Sequence, residues 1–335
     1  MNYNQINFIG RHCLIEGREY FSYSGCGFEF TVENEKDASV ITIILDSVLR
    51  EYNYQFIGIY INDLHLKDEK LTNGKNIIEI SLKDSPDINK IKIIKLNETY
   101  FSAIYLNGIL LLDAHFKNAK RDCKKVIGYF GDSVTCGFGN LDYHGEEFKM
   151  ETEDFRKTYA YLAAEALGMT YSVVARGGMS VAFPIYNEKL IGDIYDTVDM
   201  YHECNRDENL DYAVINLGAN DNSGYLQLTN DKDRKKSLVM FKQKYLELIE
   251  RIIENNSNVK FILCFHMLPL EDSIINAIKE IYNTAKIMYK NQFELLECKP
   301  NTDGACCHPY WTAHEEASIL LIKILEKYEK MCNSK

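Results

Sequence analysis

The chain has 335 residues, enough for two domains of ordinary size, and its 46 % hydrophobic content is that of a globular protein. Its net charge is −11, with lysines and arginines scattered rather than clustered, which argues against nucleic acid as a partner. No apolar run approaches the roughly 18 residues of a membrane span, so no membrane partner is expected either.

The N-terminal stretch MNYNQINFIGRHCLIEG has no basic start followed by a long apolar core. No signal peptide is read there, so a cytoplasmic location with reduced thiols is expected. The ten cysteines form no C-x-x-C pair, and Cys306 and Cys307 are neighbours that could close only a strained disulfide. No two Cys/His pairs stand at ligand spacing, so neither a metal nor a cofactor is expected.

From about Ser24 to Ala114 the chain reads as short strands: GFEFTVE, SVITIIL, YQFIGIYI, NIIEISL, KIKIIKL and SAIYLNGILLL. Turn groups such as Asn73-Gly74 and Asp84-Ser85-Pro86 separate them, and no helix pattern intervenes. Such spacing predicts an antiparallel β-sandwich over residues 1–114. The polar, basic stretch HFKNAKRDCK, residues 115–124, reads as a linker to a second domain over 125–335.

In that second domain apolar runs alternate with helical stretches. VIGYF precedes a helix at 154–168, and TYSVV precedes a mixed segment. YAVIN leads to a helix at 234–256, VKFILCF to one at 271–290, and FELLE to one at 312–332. This alternation predicts a parallel sheet covered by helices on both faces, an α/β fold. Thr312 and Glu315 suit a capping box for the last helix, whose stripe is Ala317, Leu320, Leu321, Ile324, Leu325 and Tyr328.

In such sheets ligands bind beyond the carboxyl ends of the strands, so the loops there matter most. The first is GDSVTCG, with Ser133 three residues past VIGYF. It lacks the Gly-Lys-Ser/Thr of a phosphate loop, the spacing of a dinucleotide fingerprint, and the G-x-S-x-G of α/β-hydrolases. ARGGMSV follows TYSVV with Gly177-Gly178, LGANDN follows YAVIN with Asn220, and DGACCHPYWT follows FELLE with His308. Each alone has an ordinary reading: a turn at Ser133, strand-to-helix packing at the glycines, and, more often than not, an Asn-Asp turn at Asn220 and a solvated loop histidine at His308. Together they supply what acyl transfer needs: a hydroxyl nucleophile, a base titrating near neutrality, and donors for an oxyanion. The donors would be the N–H groups of Ser133 and Gly178 and the Asn220 side-chain amide.

GDSVTCG, GGMS, GAND and HP resemble, in order, the four blocks of the SGNH/GDSL hydrolases. The N-terminal GR and SGCGFEF, joined to GDSVTCGFGN, are similar to carbohydrate esterase family two, whose members deacetylate plant polysaccharides. That resemblance implies a jelly-roll domain ahead of the hydrolase, Ser133 as nucleophile and His308 as base. It also implies an oxyanion hole of Ser133, Gly178 and Asn220, with Gly178 preferred to Gly177 because it lies two residues before Ser180. The usual acid, three residues before the histidine, is replaced by Ala305, and the nearest acid is Asp303. The resemblance therefore implies a Ser-His dyad held by a main-chain carbonyl, with Asp303 as a possible third member. Trp311, the single tryptophan, and Tyr310 are candidate substrate contacts, either core aromatics or a sugar-stacking platform.

The resulting expectation is an acetyl esterase acting on acetylated manno- or xylo-oligosaccharides. The rivals are an SGNH lipid or thioester hydrolase and a sugar-binding protein on a silent hydrolase fold.

Overall fold

A computed structural model describes residues 3–36, 39–118, 124–184, 188–204 and 209–333. The chain forms two compact units, Met1–Cys123 with Thr197–Arg206, and Lys124–Asp196 with Asp207–Lys335.

The first unit holds β1 (Asn7–Ile9), β2 (Cys13–Ile15), β3 (Arg18–Phe21), β4 (Gly27–Asn34), β5 (Val40–Leu49) and β6 (Tyr54–Ile61). It continues with β7 (Leu64–Thr72), β8 (Gly74–Ser81), β9 (Ile88–Lys95), β10 (Ser102–Leu112) and β11 (Ala114–Lys117). They form two antiparallel sheets, β1-β4-β9-β6-β7 with β11 on β4, and β2-β3-β10-β5-β8. Alternation does the sorting. In β5, Ile41, Ile43 and Leu45 are fully buried while the residues between them are half-exposed. Burying each such side chain contributes about 1.5–3 kcal/mol.

Two boundaries differ from the expectation. Residues 115–117, the start of the expected linker, belong to a strand, Ala114–Lys117, paired with β4; residues 119–123 lie outside the described residues. Residues 197–206, expected in the second domain, belong to the first unit. The physical reason is Asp199, whose side chain is fully buried there. It accepts hydrogen bonds from the Tyr20 hydroxyl, the Tyr201 N–H at 2.7 Å, and the His202 N–H at 2.8 Å. Burial pushes its carboxyl up, but these donors, led by Tyr20, outweigh it and hold the group below the ordinary range. Tyr23 adds a hydrogen bond to the Asp199 carbonyl at 3.1 Å, and Arg11 one to the Thr197 carbonyl at 3.1 Å.

The second unit carries a parallel sheet ordered β13-β12-β14-β15-β16: β12 (Val126–Gly131), β13 (Thr170–Ala175), β14 (Tyr212–Asn216), β15 (Lys260–Phe265) and β16 (Phe293–Glu297). Every residue of β14 is buried, as a strand covered on both faces requires. The helices are α1 (Ser133–Cys136), α2 (Tyr159–Ala166), α3 (Ala219–Gln227), α4 (Asp231–Asn255), α5 (Asp272–Met288) and α6 (Trp311–Asn333). α2 packs on α6 and α4 on α5.

Helix starts differ from the expectation at several points: α4, expected from 234, begins at Asp231, where the Asn230 side chain accepts the Asp233 N–H at 2.9 Å. The helix expected at 154–168 begins only at Tyr159, because Thr158 caps it by accepting the Tyr161 N–H. The capping box at Thr312 and Glu315 does not form. α6 starts one residue before Thr312, at Trp311, and the Tyr310 carbonyl accepts from the Ala313 N–H at 2.9 Å. Ala317, Leu321, Leu325 and Tyr328 of the stripe are buried, whereas Leu320 is 39 % exposed.

Candidate active site

β12 has β13 on one side and β14 on the other, so the chain reverses its order across the sheet at the end of β12. That reversal opens a crevice at the strands' carboxyl ends. The loop after β12 fills it. Asp132 caps α1 through its carboxylate, which accepts the Val134 N–H at 3.0 Å, and Ser133 is the first residue of that helix. A Cβ on Gly131 would lie 2.0 Å from Thr135 Oγ1, so only glycine lets the helix turn back this tightly on its strand.

The loop after β16 brings His308 to Ser133. The Ser133 hydroxyl donates to His308 Nε2 at 2.9 Å, and His308 Nδ1 donates to the Cys306 carbonyl at 3.1 Å. A carbonyl can only accept, so the proton sits on Nδ1 and the Nε2 lone pair faces the hydroxyl. Cys306 and Cys307 have φ of 50° and 60°, and this left-handed pair turns the Cys306 carbonyl back onto the ring. Such a conformation costs a residue with a side chain about 1–2 kcal/mol, strain that here serves the base. The imidazole packs against Phe138, with ring centroids 4.6 Å apart, and Phe138 stacks on Phe148 at 4.1 Å. Burial pushes the His308 imidazole below its ordinary range; hydrogen bonds to backbone at Cys306 and Ala305 oppose this and do not cancel it.

Asp303 is elsewhere. Its Oδ2 accepts from Asn301 Nδ2 at 2.6 Å and its N–H donates to Asn301 Oδ1 at 3.1 Å, an exposed local turn. The acceptor on His308 Nδ1 is the Cys306 carbonyl.

Gly178 stands in the loop after β13, and Asn220 in the first turn of α3, after β14. Gly178 has φ of 74°, a conformation glycine adopts without strain. The Asn220 side chain donates to the Met179 carbonyl at 2.9 Å and sits 3.4 Å from Asp132 Oδ2, which fixes the amide against the loops after β13 and β12. Tyr310 is half-buried, with its ring stacked on that of Tyr143 at 5.1 Å. Trp311 opens α6, half-buried and tilted against Tyr310 at 5.8 Å. Among the described residues no three His, Cys, Asp or Glu side chains gather as a metal-ligand set, and no helix is long and apolar enough to cross a membrane.

Sequence reasoning missed three supporting residues. Asp221, the residue after Asn220 in LGANDN, is fully buried and accepts from the N–H groups of Val181 at 2.9 Å, Ala182 at 2.8 Å and Phe183 at 3.2 Å. It thereby ties the Gly178 loop to the start of α3, which carries Asn220. Burial pushes its carboxyl up to about 6 in spite of these donors. His314, also buried, accepts the Tyr159 N–H on Nδ1 at 3.4 Å and hydrogen-bonds the Pro309 backbone. It anchors the turn after His308 to α2. Burial pushes it down to about 3. Cys306 carried one indirect signal, the alanine in the usual acid's place.

The sequence model of the GDSL-like Lipase/Acylhydrolase family matches residues 127–331. The chain belongs to that family. This GDSL hydrolase is 26 % identical over 262 residues to the acetylxylan esterase / glucomannan deacetylase of Cellvibrio japonicus, spanning 72 % of this chain and 71 % of that one. In structure it is similar to a family two carbohydrate esterase from Clostridium thermocellum, solved in complex with cellohexaose. The TM-score is 0.85 at 18 % identity, over 97 % and 99 % of the two chains. An acetyl xylan esterase from Butyrivibrio proteoclasticus matches with a TM-score of 0.82 at 17 % identity, over 98 % and 96 %. The SGNH hydrolase domain expected from the four sequence blocks is therefore present, and it follows an all-β region as in those esterases.

Proposed function

We propose that this serine ester hydrolase is a carbohydrate O-acetyl esterase that deacetylates acetylated manno- or xylo-oligosaccharides through a Ser133-His308 dyad. The observation that carries this reading is the 2.9 Å hydrogen bond from Ser133 Oγ to His308 Nε2, with Nδ1 already committed to the Cys306 carbonyl. Ser133 Oγ attacks the acetyl carbonyl carbon while His308 Nε2 takes its proton. The tetrahedral oxyanion is met by the N–H groups of Ser133 and Gly178 and the Asn220 amide. Collapse breaks the bond to the sugar oxygen, which receives the proton from His308, and acetyl-Ser133 remains. Water, deprotonated by His308, then releases acetate and restores the serine.

The whole-length likeness to family two carbohydrate esterases supports the sugar substrate, and the N-terminal sheets are read as that family's jelly roll. The site of action is read as the cytoplasm, where the substrate is an imported oligosaccharide rather than polysaccharide.

The test is mass spectrometry of acetylated manno- and xylo-oligosaccharides incubated with the wild type and with Ser133→Ala. The expected result is loss of acetyl groups with the wild type and nearly none with the variant, folded by circular dichroism. Acetyl transfer by Ser133→Ala at the wild-type rate would remove the serine from the mechanism. Octanoyl nitrophenyl ester cleaved faster than the acetyl ester would assign the site to lipid or thioester hydrolysis instead.

A further inference from the structure

Tyr143 lies outside the four sequence blocks, yet it is built into the His308 loop. Its backbone pairs with Gly304 as an antiparallel bridge. The next residue continues the pairing: the His144 N–H donates to the Asp303 carbonyl at 2.6 Å and His144 Nδ1 to the Thr302 carbonyl at 3.0 Å. One face of the Tyr143 ring stacks on Tyr310 at 5.1 Å with planes 25° apart, and Tyr310 is fixed through its N–H to Asn301 Oδ1 at 2.9 Å. The two hydroxyls hydrogen-bond as well, which raises the Tyr143 phenol above its ordinary value.

The result is a large ring, 65 % exposed, that is packed on one face and tied by its backbone to the loop bearing the base. An exposed tyrosine normally loses rotamer freedom when a ligand covers it. Here the stack on Tyr310 already favours one orientation of the ring, so less of that freedom is left to lose. The nearby charges are acidic and partly neutralised: Lys149 reaches Asp142 at 3.0 Å and Glu146 at 3.2 Å. Such a surround disfavours an anionic ligand and suits a neutral one with an apolar face and hydroxyl edges.

We propose that the Tyr143–Tyr310 pair is a binding subsite that stacks on the C–H face of a neutral pyranose ring next to the acetylated residue. This rests on the esterase reading above, and it assigns Tyr143, rather than Trp311, as the exposed member of the platform. Trp311 is the half-buried residue behind it.

The experiment separates binding from turnover. Calorimetry measures unacetylated xylohexaose and mannohexaose binding to Ser133→Ala, alone and combined with Tyr143→Ala or Tyr143→Phe. The expected result is a Kd for at least one hexaose that rises about tenfold with Tyr143→Ala. Tyr143→Phe, which keeps the ring, should stay within about twofold. In the active enzyme, the ratio of kcat/KM for the acetylated oligosaccharide to that for nitrophenyl acetate should fall about tenfold in Tyr143→Ala. No hexaose binding by the parent, unchanged Kd in Tyr143→Ala, or an equal fall on both esters would overturn the subsite. So would a loss in Tyr143→Phe matching that in Tyr143→Ala. Hexaose binding that depends on the Tyr143 ring, without deacetylation of any sugar, would overturn the esterase reading and leave the subsite standing.

Discussion

Asp303→Asn is the sharpest test of how His308 is held. The substitution keeps shape and removes only the charge and one acceptor. In a full Ser-His-Asp triad it costs about 10⁴ in kcat, because the histidine takes the wrong tautomer. Here the Cys306 carbonyl holds Nδ1 at 3.1 Å, and the Asp303 carboxylate is engaged with Asn301 at 2.6 Å. What the change removes is one exposed hydrogen bond within a turn, worth about 0.5–1.5 kcal/mol. Even if that whole amount were transmitted to the base, the loss would reach only about tenfold. The assay is kcat on one acetyl ester for wild type, Asp303→Asn and His308→Ala, after circular dichroism shows that all three fold. Asp303→Asn is expected within tenfold of wild type, and His308→Ala nearly inactive. A loss for Asp303→Asn approaching the triad figure would refute the carbonyl-held dyad and make Asp303 the group that orients the base.

Asn220→Ala should lower kcat by about 10²–10³ with little change in KM, since its amide acts on charge that develops in the transition state. A raised KM at constant kcat would make it a ground-state contact instead. Because burial lowers His308 and catalysis needs its neutral form, the acid limb of kcat/KM should fall off below the ordinary imidazole value near 6.5; an inflection at or above that value refutes the assignment. His314 stays neutral when folded, down to about 3, whereas unfolding frees it to bind a proton below its ordinary value. Its contribution to stability is thus complete above about 6.5 and is lost as the pH falls towards 3, at up to about 1.4 kcal/mol per pH unit. Urea titrations at pH 6 and 5 should show a shallower acid loss in His314→Gln, and an unchanged slope would exclude the effect.

Strands with buried apolar alternation were legible: SAIYLNGILLL is β10 from its first residue to its last. β7, LHLKDEKLT, was not, because nearly all its side chains are exposed and it is a strand only through its backbone pairing with β6. No side-chain pattern records that. In the site, the sequence exposes groups that do chemistry with their side chains, such as Ser133, Asn220 and His308. It hides groups that act through their backbone. The Cys306 carbonyl depends on two consecutive left-handed residues that nothing in their identity announces. Asp221 falls between these cases. Its carboxylate was in plain view, but its role depends on three N–H groups about 40 residues earlier in the chain, brought to it only by the fold.

The membership of residues 197–206 in the first unit has a consequence for how this chain is made and cut. On the ribosome all eleven strands have been made when residue 123 emerges, but the N-terminal unit is not yet complete. The hydroxyls of Tyr20 and Tyr23 wait for Asp199, some 175 residues further on in synthesis. A gene fragment ending at 123 therefore lacks part of its own folded unit. One beginning at 124 carries a carboxylate evolved for burial with no tyrosine to receive it. Grafting another N-terminal domain onto this enzyme needs three junctions, one after residue 123 and one on each side of that ten-residue piece, not a single splice between the halves.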